Sequence, residues 1–268
     1  MRKIIPIVRY TVADLLHQKS FFIMLGVCIG FVLLLRGCYK GNYVVNNQAV
    51  DSVTVAWHAS IIAFHVVSAG VLLIAAILSM NLFRRDREDG TAEYMLSKPV
   101  HRNTYVFGRV MGVWLVSFGF MFILHLTIFL ITLMSAGGTM PGYLLASAVC
   151  SANVLFVVLL VCLLSLFLPD FAAAFVGLGV VGISYISDIV FQIMQNAMVQ
   201  SALGTAYTRV SVWRTAWPKV SSLQYYAVSL VDKSQFHSIG PIHPLVNILA
   251  YACLIVILIG VAFKNREV

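Results

Sequence analysis

The chain has 268 residues, 60% of them apolar and only 10% charged, with a mean hydropathy of +0.93. So little polar side chain cannot cover a soluble domain, which excludes a soluble enzyme and marks an integral membrane protein. The formal charge of +8 does not describe a nucleic-acid binder, because the cations stand at the ends of hydrophobic runs rather than on one polar face.

In residues 1–19, Ile4, Ile5, Val8, Val12, Leu15 and Leu16 recur at mostly helical spacing, with Arg9, Asp14, His17 and Lys19 between them. This predicts an amphipathic helix lying along the membrane interface. Asp14, His17 and Lys19 fall where a cleaved signal would need an apolar core, so the segment is read as retained.

Six spans follow. The first, residues 20–36, is an uncharged run between Lys19 and Arg36, whose side chains must snorkel outward. A polar loop with Gly41, Asn42, Asn46, Asn47 and Asp51 leads to span two, residues 53–83, which is long enough to require tilt or projection beyond the bilayer. Residues 84–104 form a charged hinge, and span three covers 105–136, with Arg109 one turn inside its edge. Gly137, Gly138, Pro141 and Gly142 end that helix. Residues 143–168 and 171–194 are spans four and five, separated by a turn at Pro169-Asp170. Gly177, Gly179 and Gly182 in span five permit close packing without GxxxG spacing.

Residues 195–240 are the longest non-spanning segment, expected as an external loop. Its Tyr207, Trp213, Trp217, Tyr225 and Tyr226, beside Arg209, Arg214, Lys219 and Lys233, have the composition of a membrane-interface cap. Residues 241–263 form span six, anchored by Lys264 and Arg266. The five cysteines, Cys28, Cys38, Cys150, Cys162 and Cys253, mostly lie in apolar runs and imply neither a disulfide framework nor a zinc site.

Six spans place both termini on one side. That side and the hinge hold twelve Lys and Arg against six opposite, so termini and hinge are expected in the cytosol. The fold class is therefore all-α: one polytopic transmembrane domain with six spans, an interface helix before them and a short helix in the hinge.

The hinge carries the chemistry. Asp89, Gly90 and Thr91 supply a turn and an N-cap, Thr91 to Ser97 reads as a short helix, and Pro99 stops it by disfavouring helical geometry at Lys98. Glu93 in the first turn complements the helix dipole, and Met95 and Leu96 provide an apolar edge for a partner's groove.

The pattern Arg-x-x-Glu-Asp-Gly-Thr-x-Glu-x-x-Leu-Ser-x-Pro-Val-x-Arg, from Arg85 to Arg102, resembles the cytosolic coupling region of type 2 ATP-binding-cassette permeases. Sodium-extrusion, bacteriocin-immunity and copper-enzyme-maturation transporters contain related subunits. The resemblance extends to the entry helix, the six spans and the long segment before span six. Trp217-Pro218-Lys219-Val220-Ser221-Ser222-Leu223 also resembles that group's external proline motif.

The resemblance implies an exporter permease of the bacterial inner membrane, paired with a second copy, a homodimer, and resting on two cytosolic ATPases. ATP and magnesium would be bound by the ATPases and no cofactor by this chain. Docking would fall to Arg84, Arg85, Arg87, Glu88, Asp89, Gly90, Thr91, Glu93, Tyr94, Leu96, Ser97, Pro99 and Arg102. The chain has no G-x-x-x-x-G-K-[ST] loop, HExxH or GxSxG, so no catalytic residue is expected. The arginine run equally reads as a positive-inside stop signal, and a non-transporting membrane anchor that recruits a cytosolic partner is the alternative function.

Within the spans, His58, His65, His125 and Asp188 are candidates for a substrate path, since ionisable groups are expensive in lipid. With Met80, Met111, Met121 and Met134 the histidines outline a metal route only if they converge, and no metal is expected. Asp188 equally suits pairing with a loop cation such as Arg209 or Arg214.

Overall fold

A computed structural model describes residues 4–38, 43–45, 48–50, 52–80, 82–88, 90–91, 97, 101–136, 140, 142–194, 216–232, 236 and 241–264. Among these, helices run Ile4–His17 (α1), Lys19–Cys38 (α2), Ser52–Met80 (α3), Leu82–Glu88 (α4), Arg102–Ala136 (α5), Gly142–Leu164 (α6), Asp170–Met194 (α7), Val220–Asp232 (α8) and Pro244–Lys264 (α9). The extended structure described is one short antiparallel hairpin between α2 and α3, β1 (Tyr43–Val45) with β2 (Gln48–Val50), Tyr43 opposite Val50.

The protein is an all-α polytopic membrane protein, the architecture that lets each spanning segment satisfy its own backbone. Five stretches are individually long and apolar enough to cross a bilayer: Val53–Asp86, Arg102–Met134, Gly142–Leu164, Asp170–Phe191 and Pro244–Ala262. The sixth crossing belongs to the bent pair α1 and α2, which meet at 69°. The bend falls at Gln18, whose carbonyl accepts from the Phe21 amide at 3.0 Å. Beyond it, the 20 residues of α2 reach about 30 Å.

Local chemistry sets the ends of several spans. α5 begins at Arg102 because His101 accepts from the amides of Thr104 and Tyr105, at 2.9 and 3.1 Å. α6 stops at Leu164, short of the expected boundary, since Ser165–Leu168 curl into a turn that bonds back to Val161, Leu163 and Leu164. Asp170 then opens α7 with a carboxylate in the first turn, and Pro244 opens α9, where its missing N–H costs nothing.

α6 is the centre of the bundle. It touches α3, α5, α7, α8 and α9, and most of its residues are buried, Tyr143, Ala146, Val154, Val157 and Val161 included, with Leu145 exposed near its start. A helix apolar all round belongs in such a position.

α1 packs along α5 through matched i, i+4 rows. Ile7 and Thr11 sit on Gly108 and Gly112, and a Cβ built at those glycines would meet the two side chains at 2.8 and 2.5 Å. The buried line of α1 is Ile7, Thr11 and Leu15, while Ile5 faces outward, 69% exposed. This face is rotated from the one the apolar spacing outlines, because its middle position is polar.

The segment expected as an external cap contains a buried helix. α8 runs antiparallel to α6: the Asn153 amide donates to the Val220 carbonyl at 2.9 Å, and Gly142 lies against Leu230 with no room for a side chain. The start of α8 therefore lies about 16 Å below the end of α6 at Gly142. Trp217 donates from Nε1 to the Val180 carbonyl at 3.4 Å rather than standing as a free interface anchor. Tyr207, Arg209, Trp213 and Arg214 lie outside the described residues.

Replacing Gly112 by Leu will prise α1 from α5 and cost about 1–3 kcal/mol. Gly119→Leu, on the same helix with nothing within 4 Å of its Cβ, will leave thermal unfolding of the detergent-solubilised protein unchanged.

Candidate functional site

At the hinge end of the bundle, α1, α4 and α5 converge on one buried ion pair. Asp86 and Arg109 are 3% and 2% exposed. Arg109 grips the carboxylate with two nitrogens: Nη2 pairs with Oδ1, and Nε donates to Oδ2 at 2.6 Å. Tyr105, one turn earlier on α5, donates its hydroxyl to the same Oδ2. The remaining guanidinium nitrogen, Nη1, donates to Thr11 Oγ1 at 3.2 Å, and that hydroxyl donates on to the Ile7 carbonyl at 2.9 Å. The Tyr10 ring flanks the guanidinium, with Cζ 5.3 Å from the ring centroid.

This arrangement uses the planar fork of arginine, which meets a carboxylate along two parallel bonds. A buried pair is stable only when its remaining polar atoms are also satisfied, and here Tyr105 and Thr11 do that. The polar middle position of α1 follows from the same requirement. We call the cluster the latch.

Weaker contacts surround it. Arg85 reaches Asp14 of α1 at 3.4 Å, and Arg84 pairs with Glu88 at 2.7 Å and with Asp170 at the start of α7 at 3.4 Å. Arg84 and Glu88 are 64% and 61% exposed along their side chains, so that pair contributes little, whereas the latch dominates.

Of the residues expected to dock an ATPase, seven are described with their side chains. Arg84, Arg85 and Glu88 are exposed on α4, and Arg102 is exposed in the first turn of α5. Gly90 follows α4 in a turn with φ of 65°, a conformation suited to glycine. Thr91 is half-buried and Ser97 exposed in a turn. Arg87 belongs to α4, but its side chain lies outside the described residues, as do Asp89, Glu93, Tyr94, Leu96 and Pro99 with the short helix expected there.

The residues proposed for a substrate path separate into three environments. His58 is exposed on α3. His125 is fully enclosed: Nδ1 meets Ser147 Oγ at 2.9 Å, Nε2 meets Ser68 Oγ at 3.5 Å, and the ring stacks on Phe64 at 4.3 Å. His65 is half-buried beside Tyr225, at 5.1 Å between ring centroids, and its carbonyl accepts from Gln224 Nε2 at 2.9 Å. Asp188, 6% exposed, accepts from Ser222 Oγ at 2.7 Å. Both His65 and Asp188 therefore border α8. Among the described residues no group of three or more His, Cys, Asp or Glu is placed to hold a metal ion.

The start of α8 is the second buried polar zone. Its Lys219 amide donates to Asn247 Oδ1 at 2.9 Å, Lys219 Nζ donates to the Ile242 carbonyl at 2.9 Å, and the Ser221 amide reaches Ser184 Oγ at 3.4 Å. Tyr185 donates its hydroxyl to Gln224 Oε1.

Asp86, Tyr105, Tyr10 and Thr11 are the site residues that sequence reasoning does not single out. The available signal is the spacing Gly108-Arg109-Val110-Met111-Gly112, a GxxxG around the latch arginine. It identifies a close helix approach at the point where a buried cation needs neighbours.

A family model described as ABC-2 family transporter protein matches residues 13–268. No curated protein matches the chain. The match includes the hinge, Asp86, Arg109 and all the spans from α2 onward.

Asp86→Ala strands the Arg109 cation and will destabilise the protein by about 3–5 kcal/mol. The double variant Asp86→Leu with Arg109→Met will lose less than Asp86→Ala alone, as read by equilibrium unfolding in mixed micelles.

Proposed function

The chain belongs to the ABC-2 transporter family, and from that premise we propose that it is the membrane half of an exporter driven by separate cytosolic ATPase subunits. Two copies of the chain form the membrane path and rest on two ATPases, which bind ATP and magnesium. The hinge and both termini face the cytosol of a bacterium, with the spans in its inner membrane. Within the family the hinge pattern points to the sodium-extrusion and copper-enzyme-maturation group.

The observation that carries this reading is the latch. The docking segment runs between α4 and α5, and the Asp86–Arg109 pair joins the end of one to the start of the other while Thr11 ties in α1. A partner that displaces the hinge therefore moves three helices together. Arg84, Arg85, Glu88 and Arg102 present exposed charge around the same point, as a docking rim requires. Glu93, in the segment between them, supplies the contact itself. The proposed path follows α8, where His65 and Asp188 border a helix anchored at its start by hydrogen bonds.

Glu93→Arg reverses the charge in the docking segment and will abolish co-purification of the ATPase while leaving membrane insertion intact. Undiminished co-purification counts against docking through this segment. ATPase activity in reconstituted vesicles separates the transporter from the non-transporting anchor, because only a transporter couples hydrolysis to substrate.

A further inference from the structure

At the hinge end of the bundle α5 and α9 stand apart. α9 packs mainly on α6 and meets α5 sparsely, and between α5 and α9 lies a groove of about 310 Å³ with the buried Leu159 of α6 in its wall. That exceeds the ~150 Å³ that accommodates a benzene ring in an apolar core. Gly260 of α9 keeps it open: a Cβ built there would meet Asn103 Nδ2 at 3.7 Å, an ordinary contact, so a side chain would fit and the protein supplies none.

The groove has the polarity of an amphiphile. Its lining on α5, α6 and α9 falls within the stretches that cross the bilayer, Arg102–Met134, Gly142–Leu164 and Pro244–Ala262. Asn103 and Thr104 are the polar members of the lining, and none is charged. Both stand in the first turn of α5, at the edge of its span, while Phe107 and Val256 continue the groove inward as apolar wall. Phe107 is 40% exposed, so the groove opens sideways. Asn103 is exposed, and among the described residues its amide has no hydrogen-bond partner.

We infer that this groove holds one acyl chain of a glycerolipid from the leaflet at the hinge end, with the ester carbonyl of that chain accepting from the Asn103 amide. Hydrocarbon surrounds the apolar wall at this depth, which excludes a soluble partner. Water is excluded because it needs two to four polar partners, which the wall beyond Asn103 and Thr104 does not offer. An uncharged lining reads the ester that every diacyl lipid carries at the edge of the hydrocarbon, and not the charge of the headgroup. The chain completes the contact that α5 and α9 leave unmade, and so ties the last span to the helix that carries the latch.

The test is native mass spectrometry of the full-length protein in mild detergent, titrated with diacyl phosphatidylcholine or with its dialkyl ether analogue, which has the same chains and headgroup but no ester carbonyl. The wild type is expected to retain one diacyl lipid about fivefold more tightly than the ether lipid, the worth of one hydrogen bond. Asn103→Ala will erase that preference by lowering diacyl retention to the ether level. Gly260→Phe will abolish retention of both, because a side chain on a helix leans towards its N-terminus and the ring then lies over Val256, in the groove. Leu254→Trp, on an exposed face of α9, will retain lipid as the wild type does. Equal retention of the two lipids by the wild type, or wild-type retention by Gly260→Phe, overturns the proposal. Loss of a dimer from Gly260→Phe with its lipid retained overturns it too, and assigns the groove to a second copy. Should Gly260→Phe fail to fold, the exposed Asn103→Ala decides alone, an unchanged preference for the ester overturning the proposal.

Discussion

A buried ion pair must satisfy both charges without water, and the Asp86–Arg109 latch imposes that constraint on three helices at once. Taking a carboxylate and a guanidinium out of water costs several kcal/mol each. Their mutual attraction offsets that cost only in good geometry, which here needs α4 to end beside α5, Tyr105 to lie one turn before Arg109, and Thr11 to face inward. Gly108 and Gly112 follow from the same demand, because any side chain there would hold Thr11 away from the guanidinium. The latch thus accounts for a polar residue in the middle of the buried face of α1 and for glycines inside a spanning helix.

The polar zone at the start of α8 is built differently. Its bonds are single contacts from four different helices: Asn153 of α6, Ser184 and Asp188 of α7, Asn247 of α9 and, through the His65 carbonyl, α3. Two buried oxygens there, Asn153 Oδ1 and Ser221 Oγ, have no hydrogen-bond partner. An unsatisfied buried oxygen costs about 1–3 kcal/mol that another arrangement could recover. The latch has no such deficit among its described atoms. The bundle therefore has a hinge end tied by one bidentate pair and an α8 held by several single bonds.

The membrane class, the six crossings and the charged hinge were legible because hydropathy and cation placement respond directly to the bilayer, which acts on every residue of a span. Arg109 stood out for the same reason. Its partner did not, since Asp86 sits in a run of charges where each looks like surface, and only the fold turns it inward. α8 was hidden by composition. Its buried Lys219, Ser221, Ser222 and Gln224 read as a loop, and their partners come from distant helices that one sequence cannot bring together. The histidines of α3 end in different settings that the sequence does not distinguish, His58 exposed and His65 beside Tyr225.

How the two ends communicate follows from α5. Its 35 residues form a rod of about 52 Å, longer than the bilayer core is thick. It carries Arg109 in the latch, then His125 between Ser68 of α3 and Ser147 of α6, then Thr132 against Ser60 of α3 at 2.7 Å. Tyr143 of α6 closes this group by donating to the Ser60 carbonyl at 3.0 Å. α3, α5 and α6 are therefore stitched at several depths, and a displacement at the latch passes along them as a unit. α8 is joined to α3 through Gln224 and packs against α6, so it is in contact with two of the three stitched helices. The bundle thus pairs a rod stitched at three depths with a buried helix held by single contacts to four neighbours.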